Sequence, residues 1–398
     1  MITIGSYLHR QELADIIRRW MYGDADAGDG ALIVRLVHFN QMIVSRYLHL
    51  FAERLFAELH GLPMRLEPVT LKGELKDAIV RNPPYLNQRI RELIGDYAEQ
   101  PGRFYRETPC QGMMFFRAAE KGEVYLGSWR IKRIRRLAEK GARRIIDRIY
   151  DTIKGNAELM ADERAERLGI PRESLITSPE EMLGEFLKAE KRFLEDLRQK
   201  REIPGTGELI INDVAGVKVV VADNEEERVR AVLKAIDMDC EVMEEERHQG
   251  RYNAVNWVVR IRPDKDDLLR SPLPEKVLAV MAQRGVNPEQ AHRDYTTFVH
   301  EGEAEVYLEI IIANYQEMLE SEIGRCMHED RISEQRLRQQ YRGHLAKNVE
   351  YLMRYLFLFP LSSQPVPAEV PIRLWDRYLP DYFDGVIARL FQIPQGDF

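Results

Sequence analysis

Two acidic residues, Asp213 in INDVAGVKVVV and Glu309 in EVYLEIIIANYQEM, stand inside stretches rich in Val and Ile. An acid entering an apolar strand is costly to leave unpaired, so each needs a metal, a cap or an ion pair. Alternation along residues 303–312 puts Glu305, Tyr307, Glu309 and Ile311 on one face and Val306, Leu308, Ile310 and Ile312 on the other. The second face reads as core. Two carboxylates on neighbouring strands could hold Mg²⁺ through oxygen ligands, which is the chemistry phosphoryl transfer requires. The plainer alternatives are a turn or cap for Asp213 and a solvated strand face for Glu309. Gly216, inside the Asp213 strand, suggests a bulge or a close approach.

Two further groups extend the pattern. Gly127-Ser128-Trp129-Arg130-Ile131-Lys132, then Arg133, Arg135, Arg136 and Lys140, place dense positive charge at a strand-to-helix junction. Guanidinium and ammonium groups beside a helix N-terminus suit phosphates. A solvated basic face or a nucleic-acid patch is the alternative. Tyr252, in RYNAVNWVV, stands where a ring could stack on a base, although a core or surface aromatic is the commoner reading.

These residues need elements to position them. Valine- and isoleucine-rich runs predict strands over 123–131, 209–221, 252–262 and 303–312. Apolar residues at helical spacing predict helices over 11–21 and 31–59, a basic helix over 132–154, and a charge-dense helical stretch over 155–201. Residues 224–236 read as the helix of a β-α-β unit, 275–284 as a further helix, and most of 315–358 as helical. Residues 60–110, with Pro63, Pro68, Pro83, Pro84 and Pro101, read as short helices joined by turns. The expected class is a mixed α/β core with helical additions at both ends.

Composition narrows the function classes. Lys plus Arg is 58 and Asp plus Glu is 65, a net charge of -7, so nothing global favours nucleic acid or an anionic membrane. Cys110, Cys240 and Cys326 have no finger spacing, which argues against a disulfide framework and a structural zinc. The first residues lack the apolar core of a signal peptide. The apolar run Tyr355 to Leu361 is about a third of the roughly 20 residues that cross a bilayer. A cytoplasmic protein with no membrane contact is expected.

Taken in order, the motifs resemble those of the RelA/SpoT alarmone synthetase family. That family carries G-R-x-K with a later Lys, a D-x-x-x-x-R strand, Y-R/Q-S-I-H, and E-I/V-Q-I-R-T followed by a helix with M-H-x-x-x-E. Here Arg130, Lys132 and Lys140 stand at the basic positions and Asp213 at the strand aspartate. Tyr252 opens Y-N-A-V-N and Glu309 opens E-I-I-I-A-N. Met318, Glu322, Gly324 and His328 follow on the next helix. The resemblance covers roughly 123–140 and 209–330. The chain departs from it at Lys218 (family Arg), Arg136 (Ser), Asn253 (Arg/Gln), Asn256 (His), Ile311 (Gln), Ala313-Asn314 (Arg-Thr) and Leu319 (His).

The resemblance implies an α+β fold with a mixed sheet of nucleotidyltransferase type, flanked by helices. It implies a helical region over 1–110, the nucleotidyltransferase domain over 111–330 with a helical insertion at about 150–203, and a helical region over 331–398. It implies pyrophosphate transfer from ATP to the 3′-hydroxyl of GDP or GTP. Asp213 and Glu309 would hold Mg²⁺, with Glu309 orienting or deprotonating the hydroxyl. Arg130, Lys132, Lys140, Lys218, Tyr252 and Asn256 would bind substrate. A relative that pyrophosphorylates tRNA, and a nucleotide-binding domain without catalysis, remain alternatives. A homo-oligomer is left open.

Overall fold

The computed structural model describes residues 2–120, 122–175, 177–201, 209–223, 225–251, 253–283, 287–362, 364 and 369–393. Nine strands are β1 (Ile2–Ile4), β2 (Arg65–Leu71), β3 (Pro109–Ala119), β4 (Gly122–Ile131), β5 (Leu209–Ile211), β6 (Ala215–Val220), β7 (Cys240–His248), β8 (Ala254–Ile261) and β9 (Val306–Ala313) among the described residues. The α-helices are α1 (Arg10–Met21), α2 (Asp29–His60), α3 (Lys72–Arg81), α4 (Gln88–Glu99), α5 (Ile134–Leu168), α6 (Pro179–Arg198) and α7 (Glu226–Ala235). They continue as α8 (Lys265–Leu269), α9 (Glu275–Gln283), α10 (Pro288–Glu301), α11 (Tyr315–Ile323), α12 (His328–Leu337), α13 (His344–Leu358) and α14 (Pro380–Leu390).

Seven strands form one sheet in the order β2-β3-β4-β6-β9-β8-β7, and β1 pairs with β5 in a separate two-stranded ribbon. Within the large sheet β6 and β9 run parallel, and every other neighbouring pair is antiparallel. The protein is thus α+β, with a mixed sheet flanked by helices.

The two faces of the sheet differ, and the difference creates the site. One face is core throughout: Phe115, Trp129, Val217, Trp257, Leu308 and Ile310 lie in one apolar cluster with α2. Helix α2 buries residues on most of its circumference, as expected of a helix enclosed on several sides. The other face is only half covered. Helices α3, α4 and α11 close it over β2, β3 and the end of β6 through Leu75, Ile79, Leu93, Met114, Val220 and Met318. Beyond them Gly216, Glu309, Ile311, Asn256 and Val258 are half-exposed. Regions 1–110, 111–330 and 331–398 all contribute to the large apolar cluster, which runs from Ile2 to Leu390.

The alternation expected for 303–312 is present: Val306, Leu308, Ile310 and Ile312 are buried. Four expectations need correction. The region 1–110, expected to be helical, supplies strands β1 and β2 as well as helices, and β3 follows as a further unanticipated strand. The single strand 209–221 is two, broken at residues 212–214. Residues 240–248 form β7, so α7 leads into an antiparallel hairpin, and the parallel partner of β6 is the distant β9. The charge-dense stretch is also divided: Gly169, at φ 65, ends α5, and Ser178 with Glu181 forms a capping box that starts α6.

Candidate functional site

Asp213 lies in the break between β5 and β6, beside the end of β4. The Lys132 backbone N–H donates to the Val214 carbonyl at 2.8 Å, which locks the two segments together. The Lys132 Nζ donates to Asp213 Oδ2 at 2.6 Å, and Lys140 Nζ donates to the same oxygen. Lys132 has just left β4 and Lys140 stands in the second turn of α5, so the strand-to-helix junction aims both lysines at one carboxylate. Burial alone would push Asp213 up; the two ammonium groups overrule it and hold the carboxyl well below its usual range. The other oxygen, Oδ1, is buried and has no hydrogen-bond partner among the described residues.

Glu309 stands in mid-strand on β9, opposite Gly216 of β6 and Val258 of β8. A Cβ at Gly216 would sit 4.0 Å from Glu309 Oε2. Gly216 makes neither the bulge nor the tight approach its type suggests; its missing side chain keeps the space over the carboxylate open. The Asn256 amide donates to Glu309 Oε1 at 3.0 Å, while Asn256 Oδ1 is buried without a partner among the described residues. Burial pushes Glu309 above the ordinary carboxylate range, the charge of Asp213 adds to the effect, and Lys132, Lys140 and Lys218 oppose it. The charge of Asp213 therefore acts on Glu309 across the half-open sheet face.

The expected substrate-binding residues do not form one group. Arg130 and Lys218 face Glu322, near the end of α11, at 3.1 and 2.7 Å. Lys72, at the start of α3, lies 3.4 Å from Glu322 and 3.4 Å from Glu329. Lys76 is 3.6 Å from Glu329 and donates to the Phe104 carbonyl at 2.6 Å. Burial pulls Lys218 down to about 8 against the attraction of Glu322. Burial would raise Glu322, yet Lys218, Lys72 and Arg130 hold it well below the usual range. Tyr252 lies outside the described residues.

Lys72, Lys76 and Glu329 were not singled out from the sequence. The available signal was the i, i+4 spacing of the two lysines beside Leu75 and Ile79, which puts both on the buried side of α3.

The donor set suits Mg²⁺ rather than a fully protein-caged ion. Among the described residues no group of three or more His, Cys, Asp or Glu could hold a metal. Mg²⁺ takes one or two carboxylates and completes its shell with water and phosphate. Asp213 and Glu309 would supply those carboxylates, and the unpartnered Asp213 Oδ1 and Asn256 Oδ1 are oxygen donors still to be satisfied. A pocket of about 210 Å³ lies across the sheet, lined by Arg230, Leu233, Lys234, Cys240, Val242 and Val259 among others; none of the candidate groups reaches it.

Comparison of this chain with family models, curated proteins and solved structures finds no match. The site therefore stands on its own geometry. No described helix is long and apolar enough to cross a membrane.

Proposed function

We propose that this recess transfers pyrophosphate from ATP to the 3′-hydroxyl of a guanine nucleotide, on a sheet of nucleotidyltransferase type. One observation carries the proposal: Glu309 sits half-exposed on the sheet beside Gly216, within the field of Asp213 and of three lysines. Asp213 and Glu309 would hold Mg²⁺, and the charge neutralisation of the phosphates is the chemistry it would supply. Without nucleotide, Lys132 and Lys140 are spent on Asp213. With ATP they become available to phosphate oxygens. Asn256 fixes one oxygen of Glu309 and leaves Oε2 to face the incoming hydroxyl.

The bookkeeping of the step is simple. The hydroxyl oxygen bonds to the β-phosphorus, the bridge from the β- to the α-phosphate breaks, and AMP leaves. The hydroxyl proton passes to Glu309, whose raised affinity for protons favours that role. Most of the rate comes from alignment and charge neutralisation.

The test is incubation of the full chain with γ-labelled ATP and Mg²⁺, together with GDP, GTP or tRNA. A labelled guanosine product is expected, and Glu309→Gln should abolish it while ATP affinity stays within about threefold, since the lost group acts on the transition state. Label on tRNA alone would change the acceptor. Absence of transfer to any of the three would remove the enzymatic proposal.

A further inference from the structure

The cations of the recess fall into two sets, with Glu309 between them. Asp213 lies just before β6 and Lys218 within it, on either side of Gly216, the residue opposite Glu309. On the first side Lys132 and Lys140 share Asp213. On the second side Lys72, Arg130 and Lys218 surround Glu322, with Lys76 behind them against Glu329.

The second set is unbalanced. Among the described residues it holds four cations, Lys72, Lys76, Arg130 and Lys218, against the two carboxylates Glu322 and Glu329. Apart from Arg130, whose side chain is 18% exposed, each of these residues is at most 8% exposed. Charge held away from water needs an opposite charge nearby or gives up its proton; burial lowers Lys76 and Lys218, yet Lys72, Arg130 and Lys218 still converge on the single carboxylate of Glu322. The contacts to Glu329, at 3.4 and 3.6 Å, are too long for good hydrogen bonds, and neither of its oxygens has a hydrogen-bond partner among the described residues. His328, the first residue of α12, borders the same cluster and is exposed. The residue reaches solvent, but its ring stands in crowded surroundings; that crowding, and then the charges of Lys72, Lys218 and Arg130, lower its imidazole well below its usual range.

We infer that Lys72, Arg130, Lys218 and His328 form a second anion subsite, for a phosphate or pyrophosphate group, distinct from the Lys132–Lys140 pair. The recess then holds two anionic groups, one on each side of Glu309. Lys72 comes from α3, outside the stretches that resemble a synthetase. The subsite stands apart from the transfer reaction: a chain that binds nucleotides without reacting them needs the same counter-charge.

Inorganic pyrophosphate, without Mg²⁺, is the probe, and calorimetric titration of the full chain is the measurement. Wild type should bind it. Lys72→Met should weaken binding by about 10-fold or more, the usual worth of a charged hydrogen bond. The Lys132→Met/Lys140→Met double variant should lose less than Lys72→Met does, because its cations lie on the other side. Unliganded Lys72→Met should melt below wild type, because Lys72 also pairs with buried Glu322; unliganded His328→Ala should not, so its loss of binding separates the subsite from folding. His328→Ala, at an exposed position, should weaken binding several-fold and answers the question if the buried variant does not fold. The subsite is overturned if wild type ignores pyrophosphate, if Lys72→Met and His328→Ala bind as tightly as wild type, or if only the Lys132/Lys140 variant loses binding. None of these readings requires turnover, so a chain that fails the label assay can still pass this one.

Discussion

Glu309 works against the stability of the fold that presents it. Its folded-state proton affinity is raised, chiefly by burial. A carboxyl of this kind favours the fold fully below its unfolded pKa and loses that contribution as pH rises through the folded value. Its charged form is the one the fold disfavours. Glu309→Gln removes the cost and keeps an oxygen for the Asn256 amide, now at 3.0 Å from Oε1. The variant should melt roughly 1–3 °C above wild type at pH 7, with the gap closing toward pH 4, as scanning calorimetry at the two pH values would show. A midpoint below wild type at pH 7 would mean that the carboxylate is paired there. The exposed face of Glu309 was legible in the sequence, because period-two alternation needs no partner to be seen. The division of the cations was not. Lys218 meets Glu322 across 104 residues of chain, and no local spacing announces such a pair.

At the scale of elements, the sheet must bring β4 against β6 closely enough to set Arg130 beside Gly216. Gly127 allows it. Its φ is 155°, and a Cβ there would run into the Lys218 carbonyl and come within 2.5 Å of the Phe56 ring. Backbone cannot yield as a flexible side chain does. Gly127→Ala should therefore cost about 2–4 kcal/mol in urea unfolding, within the range for severe local clashes. A change under about 0.5 kcal/mol would show that β4 and β6 separate freely. Position in the sheet also explains which strands the sequence hid. Strand β2 carries Pro68, which reads as a breaker, yet β2 is an edge strand, where a missing N–H is tolerated. Strand β7 is the opposite edge, and its CEVMEEERH is mostly exposed charge. Charged edges discourage pairing with other chains, and they also erase the apolar alternation by which strands are recognised. Central strands β6, β8 and β9 keep their apolar runs and were legible.

Across the whole molecule, carboxylates join elements that are far apart in the chain. Glu322 ties α11 to α3, β4 and β6; Glu139 ties α5 to α12 through Arg336; Glu320 ties α11 to α4 through Arg89. Burial would raise all three, and their cations overrule it: Glu139 is held down to about 2, and Glu320 and Glu322 are likewise lowered. Asp213 joins them in direction. Groups shifted this way stabilise the fold above the unfolded carboxylate value of about 4, and the contribution disappears as pH falls through the folded values. Glu309 and Asp147 run the other way, against these four. Urea unfolding at pH 7, 5 and 3 should accordingly show nearly constant stability between the first two and a steep fall by the third. Added salt should recover little of that loss, because Glu322 and its partners lie away from solvent, where screening is weak. Equal stability at pH 5 and pH 3 would mean that these carboxylates gain no more from their cations in the fold than in the open chain, and the recess would lose the electrostatic frame that holds its two sides apart.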